Sequence, residues 1–403
     1  MEFIIFIENI QKGGVDTFCS MLVNNWPNSS DTFTIVCNKS HPGRANMERL
    51  IKRPCKFVYH NIPLSWTLSR KVFFLPGSIR RVFQPFFRIP LLPLQYFLIK
   101  NIFSKECGEE LLVINGGFPG GESCRIASIA WYRMGKGKST HNFHNFAVPP
   151  RPGFGWYENW LDRVFSKSVK LFISVSQVCL DSLNVRKTFK GLEKGVYIYN
   201  GIESPGDEGV DFDIRDNIEV DRRALLCLML GTYEKRKGHK FIFESFKRIS
   251  KVIPEAHLVV CGGGSKEEIK RVDRIRKDIF NDGNIHLFGF IYNGVSLIDQ
   301  ADVLLIGSQD FESFGYTAVE AMARKKPIVS TNIGGLPEVV GVDSSCGYIV
   351  DYRDIEGFSQ AVTKLLNNKE LRASMGTAGQ KRAKKMFDAK QMSKKYYSAI
   401  INQ

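Results

Sequence analysis

Twice along its 403 residues the chain repeats one alternation that few folds accommodate. Short, uninterrupted apolar runs are separated by longer stretches with helical spacing. The first series comprises FIIFI, FTIVCN, CKFVYH, LLVIN and KLFISVS; the second comprises ALLCLML, HLVVCGGG, NIHLFGF, DVLLIG, PIVST and GYIV. An unbroken apolar strand is one buried on both faces, the pattern of a parallel sheet covered by helices. The stretches between supply the crossovers. KGHKFIFESFKRISKV, for example, sets Phe241, Ile242, Phe246 and Ile249 at helical spacing. Two series in a chain of this length predict two α/β domains, each with its own core.

The break falls at 203–220, ESPGDEGVDFDIRDNIEV, which is acidic, contains glycine and lacks apolar periodicity. It reads as a linker between domains at 1–202 and 221–385, with a basic helical stretch closing the chain. The nine cysteines stand singly and no CxxC occurs, which speaks against a zinc cluster or redox pair and for a reducing compartment. MEFIIFIEN carries Glu2 and Glu8 and reads as a first strand, not a secretory leader. No apolar run approaches the roughly 20 residues that span a bilayer; Ile89–Ile99 is interrupted by Pro90 and Pro93.

Charge is distributed unevenly. Of the net +15, +13 lies in residues 1–200, and no acid occurs from Arg49 to Lys105. Within Ser69–Lys105, Arg70, Lys71, Arg80, Arg81, Arg88, Lys100 and Lys105 alternate with Phe73, Phe74, Phe83, Phe86, Phe87, Tyr96 and Phe97. A basic, aromatic surface without a span predicts peripheral attachment to an anionic membrane. A nucleic-acid patch and a half-buried helical insertion are the alternatives.

The densest chemistry lies in Ser308–Val340, SQDFESFGYTAVEAMARKKPIVSTNIGGLPEVV. It reads as a strand, a loop carrying Glu312, a helix opening near Gly315–Tyr316 and carrying Glu320, then another strand and a Gly-Gly turn. A helix N-terminus offers backbone N–H groups to an anion, while carboxylates accept hydrogen bonds from sugar hydroxyls. Together they suit a nucleotide sugar. A second candidate is GTYEKRKGHK, where Lys237 at a helix start can neutralise a diphosphate. Gly13-Gly14 after the first strand permits close backbone approach to a phosphate, and the absence of GxGxxG there argues against a nicotinamide enzyme. THNFHNF offers His141 and His144.

These motifs resemble the retaining glycosyltransferases of family 4, the "group 1" nucleotide-sugar enzymes of GT-B fold. Their signature E-x-F-G-x-x-x-x-E-A-M-A is met by Glu312, Phe314, Gly315, Glu320, Ala321, Met322 and Ala323. Of the G-x-P-(I/V)-V and G-G-x-x-E elements, the chain supplies Pro327, Val329, Gly334, Gly335 and Glu338. Lys326 stands where the family has glycine before the proline. The G-R-x-x-x-x-K-G motif is met by Gly231, Lys237 and Gly238, with Thr232 in place of the arginine and Arg236 as a substitute. The resemblance implies two Rossmann-like domains with parallel sheets facing a central cleft. It implies an N-terminal acceptor domain, a C-terminal nucleotide-sugar domain and a last helix, 386–403, crossing back to the first.

The resemblance also implies site roles. Glu312 would contact sugar hydroxyls and Glu320 the ribose, while the backbone of Ser313, Phe314, Gly315, Tyr316 and Thr317 would cradle the sugar and diphosphate. Gly13 and Gly14 would roof the donor, and Gly289 and Phe290 would border the base. One histidine would face the donor sugar. Strand register favours His144, which leaves His141 with Asn115, Gly116 and Gly117 on the acceptor side. No metal and no cofactor are implied; the nucleotide diphosphate sugar is a substrate. The expected acceptor is a lipid-linked or oligosaccharide glycan in surface polysaccharide or lipopolysaccharide synthesis, at the cytoplasmic face of the plasma membrane, with no nucleic-acid partner. A GT-B sugar-nucleotide epimerase or a non-enzymatic basic binding protein are the alternatives.

Overall fold

The structure is a computed structural model describing all residues but 10–12, 66, 69–76, 207–211, 281–282, 292 and 403, and no side chains from 77 to 85. It divides into two units, Met1–Gly201 with Ala389–Gln403, and Ile202–Asp388.

The first unit is built on a parallel sheet ordered β3-β2-β1-β4-β5-β6-β7. Its strands are β1 Glu2–Glu8, β2 Thr32–Asn38, β3 Lys56–His60, β4 Glu110–Asn115, β5 Ser139–Phe143, β6 Val169–Ser174 and β7 Gly195–Tyr197. The FIIFI run is the centre of this sheet. Ile5 lies between Ile35 on β2 and Leu112 on β4, and all five residues of the run are buried, as two-sided coverage requires.

The second unit repeats the order as β10-β9-β8-β11-β12-β13, again all parallel. Here β8 is Leu225–Leu230, β9 Ala256–Cys261, β10 Ile285–Phe288, β11 Val303–Ile306, β12 Ile328–Thr331 and β13 Gly347–Val350. In each sheet the chain steps outward over three strands and then returns to the other side of the first. The connections leaving β1 and β4, and those leaving β8 and β11, therefore diverge and open a crevice at the strands' carboxyl ends. The α/β fold with two parallel sheets is the class expected from the alternating runs.

The closing helix, Ala389–Ile401, packs within the first unit. Met392, Tyr396 and Ile400, spaced four apart, form its buried stripe. The Tyr396 hydroxyl accepts from Asn142 Nδ2 at 2.6 Å, and Ser393 Oγ donates to the Leu22 carbonyl.

Two expectations need correction. The described part of 203–220 is not a free connection. Asp213 caps a helical turn, Ile214–Asn217, that buries Ile214, and Arg215 donates to the carbonyls of Gln300 and Ala224 in the second unit. The basic-aromatic stretch is in part core. Gly77–Lys105 is one helix running through Pro90 and Pro93, anchored by buried Leu91, Gln95, Ile99 and Phe103. Arg88 turns inward, 3.5 Å from Glu122. Arg70, Lys71, Phe73 and Phe74 lie outside the described residues, as do the side chains of Arg80, Arg81 and Phe83. Of the rest, Phe86, Phe97, Lys100 and Lys105 are exposed.

Candidate active site

The loops after β8 and β11 meet in the second unit's crevice because glycine permits it. Gly238 sits at φ 72°, and a Cβ there would lie 1.8 Å from the Gly307 carbonyl oxygen. This contact seats the Lys235–Lys237 turn on the end of β11, and the Gln309 N–H donates to the Arg236 carbonyl at 2.8 Å. Lys237 Nζ then reaches Glu312 Oε2 at 2.5 Å, with Ser308 Oγ at 3.3 Å and Arg236 Nη1 at 3.5 Å from the same oxygen.

A second glycine contact fixes Glu312 from behind. Its carbonyl accepts from the Gly335 N–H at 2.7 Å, and Gly334, at φ 59°, lies where a Cβ would approach that carbonyl to 2.1 Å. The Gly-Gly turn after β12 is thus a clamp on the Glu312 loop. Burial alone would raise the Glu312 carboxyl, but the Lys237 and Arg236 cations outweigh it and hold the group below its ordinary range.

Beside this pair the helix Tyr316–Ala323 begins at Gly315, whose φ of 97° suits glycine. No side chain caps it, so the positive end of the helix is presented by backbone alone. Phe314 is buried against the Tyr316 and Phe387 rings, while Ser313 and Thr317 are half-buried at the rim. Glu320 projects from the same helix. Burial pushes its carboxyl up to about 7, with Arg324 offsetting part of the effect. The Tyr316 hydroxyl is buried without a hydrogen-bond partner among the described residues. Burial, then the neighbouring Glu320, raise it well above the usual phenol range.

At the next strand end, Phe290 stands 70% exposed beside Gly289, whose carbonyl accepts from Cys261 Sγ. Thr232 is exposed. Arg236 is the second cation that reaches Glu312, and its guanidinium also lies 4.8 Å from the Phe311 ring centroid. Sequence reasoning assigned no role to Ser308, although its spacing of four from Glu312 was visible. Thr331 Oγ1 was also missed; it donates to the Ser308 carbonyl at 2.6 Å.

A second cluster forms within the first unit. Gly13 donates its N–H to Asp16 Oδ2 at 3.0 Å, and Gly14 starts the helix Gly14–Asn24. The His144 N–H donates to the Asn115 carbonyl at 3.0 Å, and its ring lies 4.3 Å from that of Phe18 on the same helix. Burial pushes His144 down to about 3, so it is neutral at physiological pH. Gly116 and Gly117 are half-buried beside it. Asn115 itself is fully buried and closes its own turn, accepting from the Gly121 N–H at 2.8 Å. His141 does not border an acceptor surface. It points into the core between Phe165 and Phe172, with no exposure. The cause is strand alternation, since β5 is covered on both faces.

Among the described residues no group of three or more His, Cys, Asp or Glu is arranged to hold a metal ion. No described helix is long and apolar enough to cross a membrane.

Comparison with known proteins agrees with the fold and with the second unit's motifs. Over 100% of both chains, the structure superposes on Anabaena Alr3699/HepE, crystallised in complex with UDP, with a TM-score of 0.74 and 14% identity. The fold is GT-B. Residues 211–382 match the family model described as glycosyl transferases group 1. The chain is 24% identical over 204 residues to N-acetyl-alpha-D-glucosaminyl L-malate synthase of Bacillus anthracis, covering 49% of this chain and 51% of that protein. It is 27% identical over 161 residues to the capsular polysaccharide biosynthesis glycosyltransferase CapM of Staphylococcus aureus, covering 40% and 41%. The alignments thus span about half, or less, of these curated relatives.

Proposed function

We propose that this protein is a retaining glycosyltransferase that moves a sugar from a nucleotide diphosphate sugar to a hydroxyl of a glycan acceptor. The observation that carries the reading is the Lys237–Glu312 pair beside the uncapped helix start at Gly315. In the free protein the two side chains satisfy each other. An arriving diphosphate takes over the Lys237 charge and the backbone N–H groups of Tyr316 and Thr317. Glu312 is then free to accept hydrogen bonds from sugar hydroxyls, and Glu320 from the ribose. The exposed Phe290 ring and the Gly289 backbone offer a platform for the base.

The hard part of the chemistry is the negative charge that grows on the departing diphosphate. Fixed donors aimed at such charge are worth roughly 10²–10³ in rate each. Here Lys237 and the helix terminus supply them, so the proposal requires neither a metal nor a cofactor. The departing phosphate oxygen takes the acceptor's proton on the same face of the sugar, so no protein nucleophile is named. Glu312, an ionised carboxylate held low by two cations, binds and orients rather than donating a proton.

For the acceptor we propose a lipid-linked glycan of surface polysaccharide synthesis, met at the cytoplasmic membrane face. In support, the first unit exposes Phe86, Leu94, Phe97, Trp156 and Trp160 on two helices, with Lys100 and Arg163 exposed on the same two and Arg133 on the helix between them in sequence. Apolar side chains among bases suit an anionic lipid surface. Flotation with anionic vesicles at low salt tests this, with Phe97→Ser and Trp160→Ser reducing recovery. Wild-type protein remaining at the bottom of the gradient sinks it. The transfer reading is tested by a thermal-shift screen of UDP, GDP and ADP sugars, followed by turnover of the stabilising donor. Full turnover by a Lys237→Ala/Glu312→Gln variant would falsify the site.

A further inference from the structure

The first unit carries an apolar groove walled by three helices, Gly77–Lys105, Glu122–Arg133 and Gly155–Lys167. Ile126, Ile129 and Leu161 line it and are buried, while Tyr96 and Val164 line it half-buried. Phe97 and Trp160 stand at its rim, 64% and 47% exposed. Arg133 is the one charged side chain among the described residues that line it, and its guanidinium lies 5.9 Å from the Tyr96 ring centroid. The groove encloses roughly 260 Å³, less than the roughly 300–1,000 Å³ of pockets for drug-sized ligands. One turn of a partner helix, about 10 Å across and about 5.4 Å long, does not fit within it. A single extended hydrocarbon chain does.

The charges around the groove say what such a chain is attached to. The acids of these helices turn inward. Glu158 and Asp162 are buried and each accepts from Arg186 at 2.7 Å, and Arg125 donates to the other oxygen of Asp162 at 2.9 Å. Glu122 faces Arg88 at 3.5 Å, and Gly77–Lys105 contains no acid. The exposed charges on the three helices, among the described residues, are therefore all basic: Lys100, Lys105, Arg133, Arg163 and Lys167. Lys100 lies one turn beyond Tyr96 on the same helix face, and Arg163 and Lys167 flank Trp160 and Val164 in the same way. An apolar groove bordered by bases alone is complementary to an anionic head carrying a hydrocarbon chain.

We propose that this groove takes one acyl chain of an anionic phospholipid, with the lipid phosphate against Arg133 and Lys100. Phe97 and Trp160 guide the chain in, and the buried floor receives it. The inference deepens the membrane part of the proposed function and rests on it for the presence of a bilayer. It uses no residue of the donor crevice.

Titration calorimetry of the whole protein with dodecyl phosphate, kept below its micelle concentration, tests the groove without a membrane. Its failure is thus separate from failure to float with vesicles. The expected result is saturable binding of one chain per protein, at least tenfold weaker binding of dodecyl maltoside, and none of inorganic phosphate. Val164→Phe, which fills the groove from a half-buried position, should weaken dodecyl phosphate at least tenfold yet still float with anionic vesicles, because the exposed aromatic rings and bases remain. Arg133→Glu, at an exposed position, should weaken dodecyl phosphate at least tenfold and leave dodecyl maltoside unchanged. The proposal is overturned if dodecyl phosphate does not bind, or if it binds equally well to both variants. Farnesyl phosphate binding at least tenfold tighter than dodecyl phosphate would assign the groove to a branched tail and overturn it. So would light scattering that shows a dimer which Val164→Phe dissociates, since a second copy would then fill the groove.

Discussion

The two units share one strand order, yet their switch-point crevices are chemically opposite. In the second unit Lys237, Arg236 and Glu312 keep 18%, 21% and 13% of their side chains exposed and form ion pairs with one another. In the first, Glu8, Asn115 and His144 are almost wholly buried. Burial, reinforced by the neighbouring Glu122, pushes Glu8 up to about 8, and burial holds His144 near 3. Both are therefore uncharged at pH 7. Most of the net charge nevertheless belongs to residues 1–200. The comparison teaches that total charge and site charge are separate properties. An ionic site is made by loops that leave charged groups partly hydrated and paired; the sheet order alone does not make one.

The contrast can be broken most forcefully at Lys237. Under the proposed function Lys237→Ala should lower turnover about 10²–10³-fold, because that reading sets this cation against the leaving diphosphate. Steady-state kinetics read the loss, and a change under threefold contradicts the account.

A smaller effect should come from pH. Glu320 has a carboxyl raised to about 7, and in the proposed function it is the ionised form that accepts ribose hydroxyls. Donor affinity should therefore rise about tenfold between pH 6 and pH 8. A nucleotide sugar is the right probe, since its diphosphate has no proton to lose in that range. Glu320→Gln should bind more weakly and flatten the profile.

The first unit offers the matching test through stability. Because the folded value of Glu8 is raised, the native state holds a proton that the unfolded chain releases. Its penalty is absent below the ordinary carboxylate value and grows as pH rises from about 4.5 towards about 8. Glu8→Gln should leave the melting temperature nearly unchanged at pH 5 and raise it relative to wild type at pH 9. No difference between the two pH values would remove Glu8 from the account.

The smallest effect concerns Lys325. It is this residue, not Lys326, that occupies a left-handed conformation, at φ 57°. Lys325→Gly should stabilise the protein by about 0.5–1 kcal/mol by relieving that strain. Denaturant titration measures it.

These cases also show what was legible in the sequence. The paired sheets followed from apolar runs, since burial on both faces leaves a direct mark on composition. Glu312, Glu320 and Lys237 were legible because glycines and prolines at fixed offsets mark the turns that place them. The Gly238–Gly307 and Gly334–Glu312 contacts show why those glycines are needed. His141 was misread because a short buried strand gives no periodicity to say which way a side chain points. Arg88 was misread because its partner, Glu122, lies 34 positions along the chain. The engagement of Arg236 with Glu312 depends on the shape of one turn, which residue identity does not reveal.

The central claim is that the donor diphosphate is held in the second unit's crevice by Lys237. Titration calorimetry of UDP against wild-type protein and Lys237→Ala tests it most directly. The account predicts saturable wild-type binding and at least tenfold weaker binding by Lys237→Ala. Wild-type affinity in Lys237→Ala would contradict it.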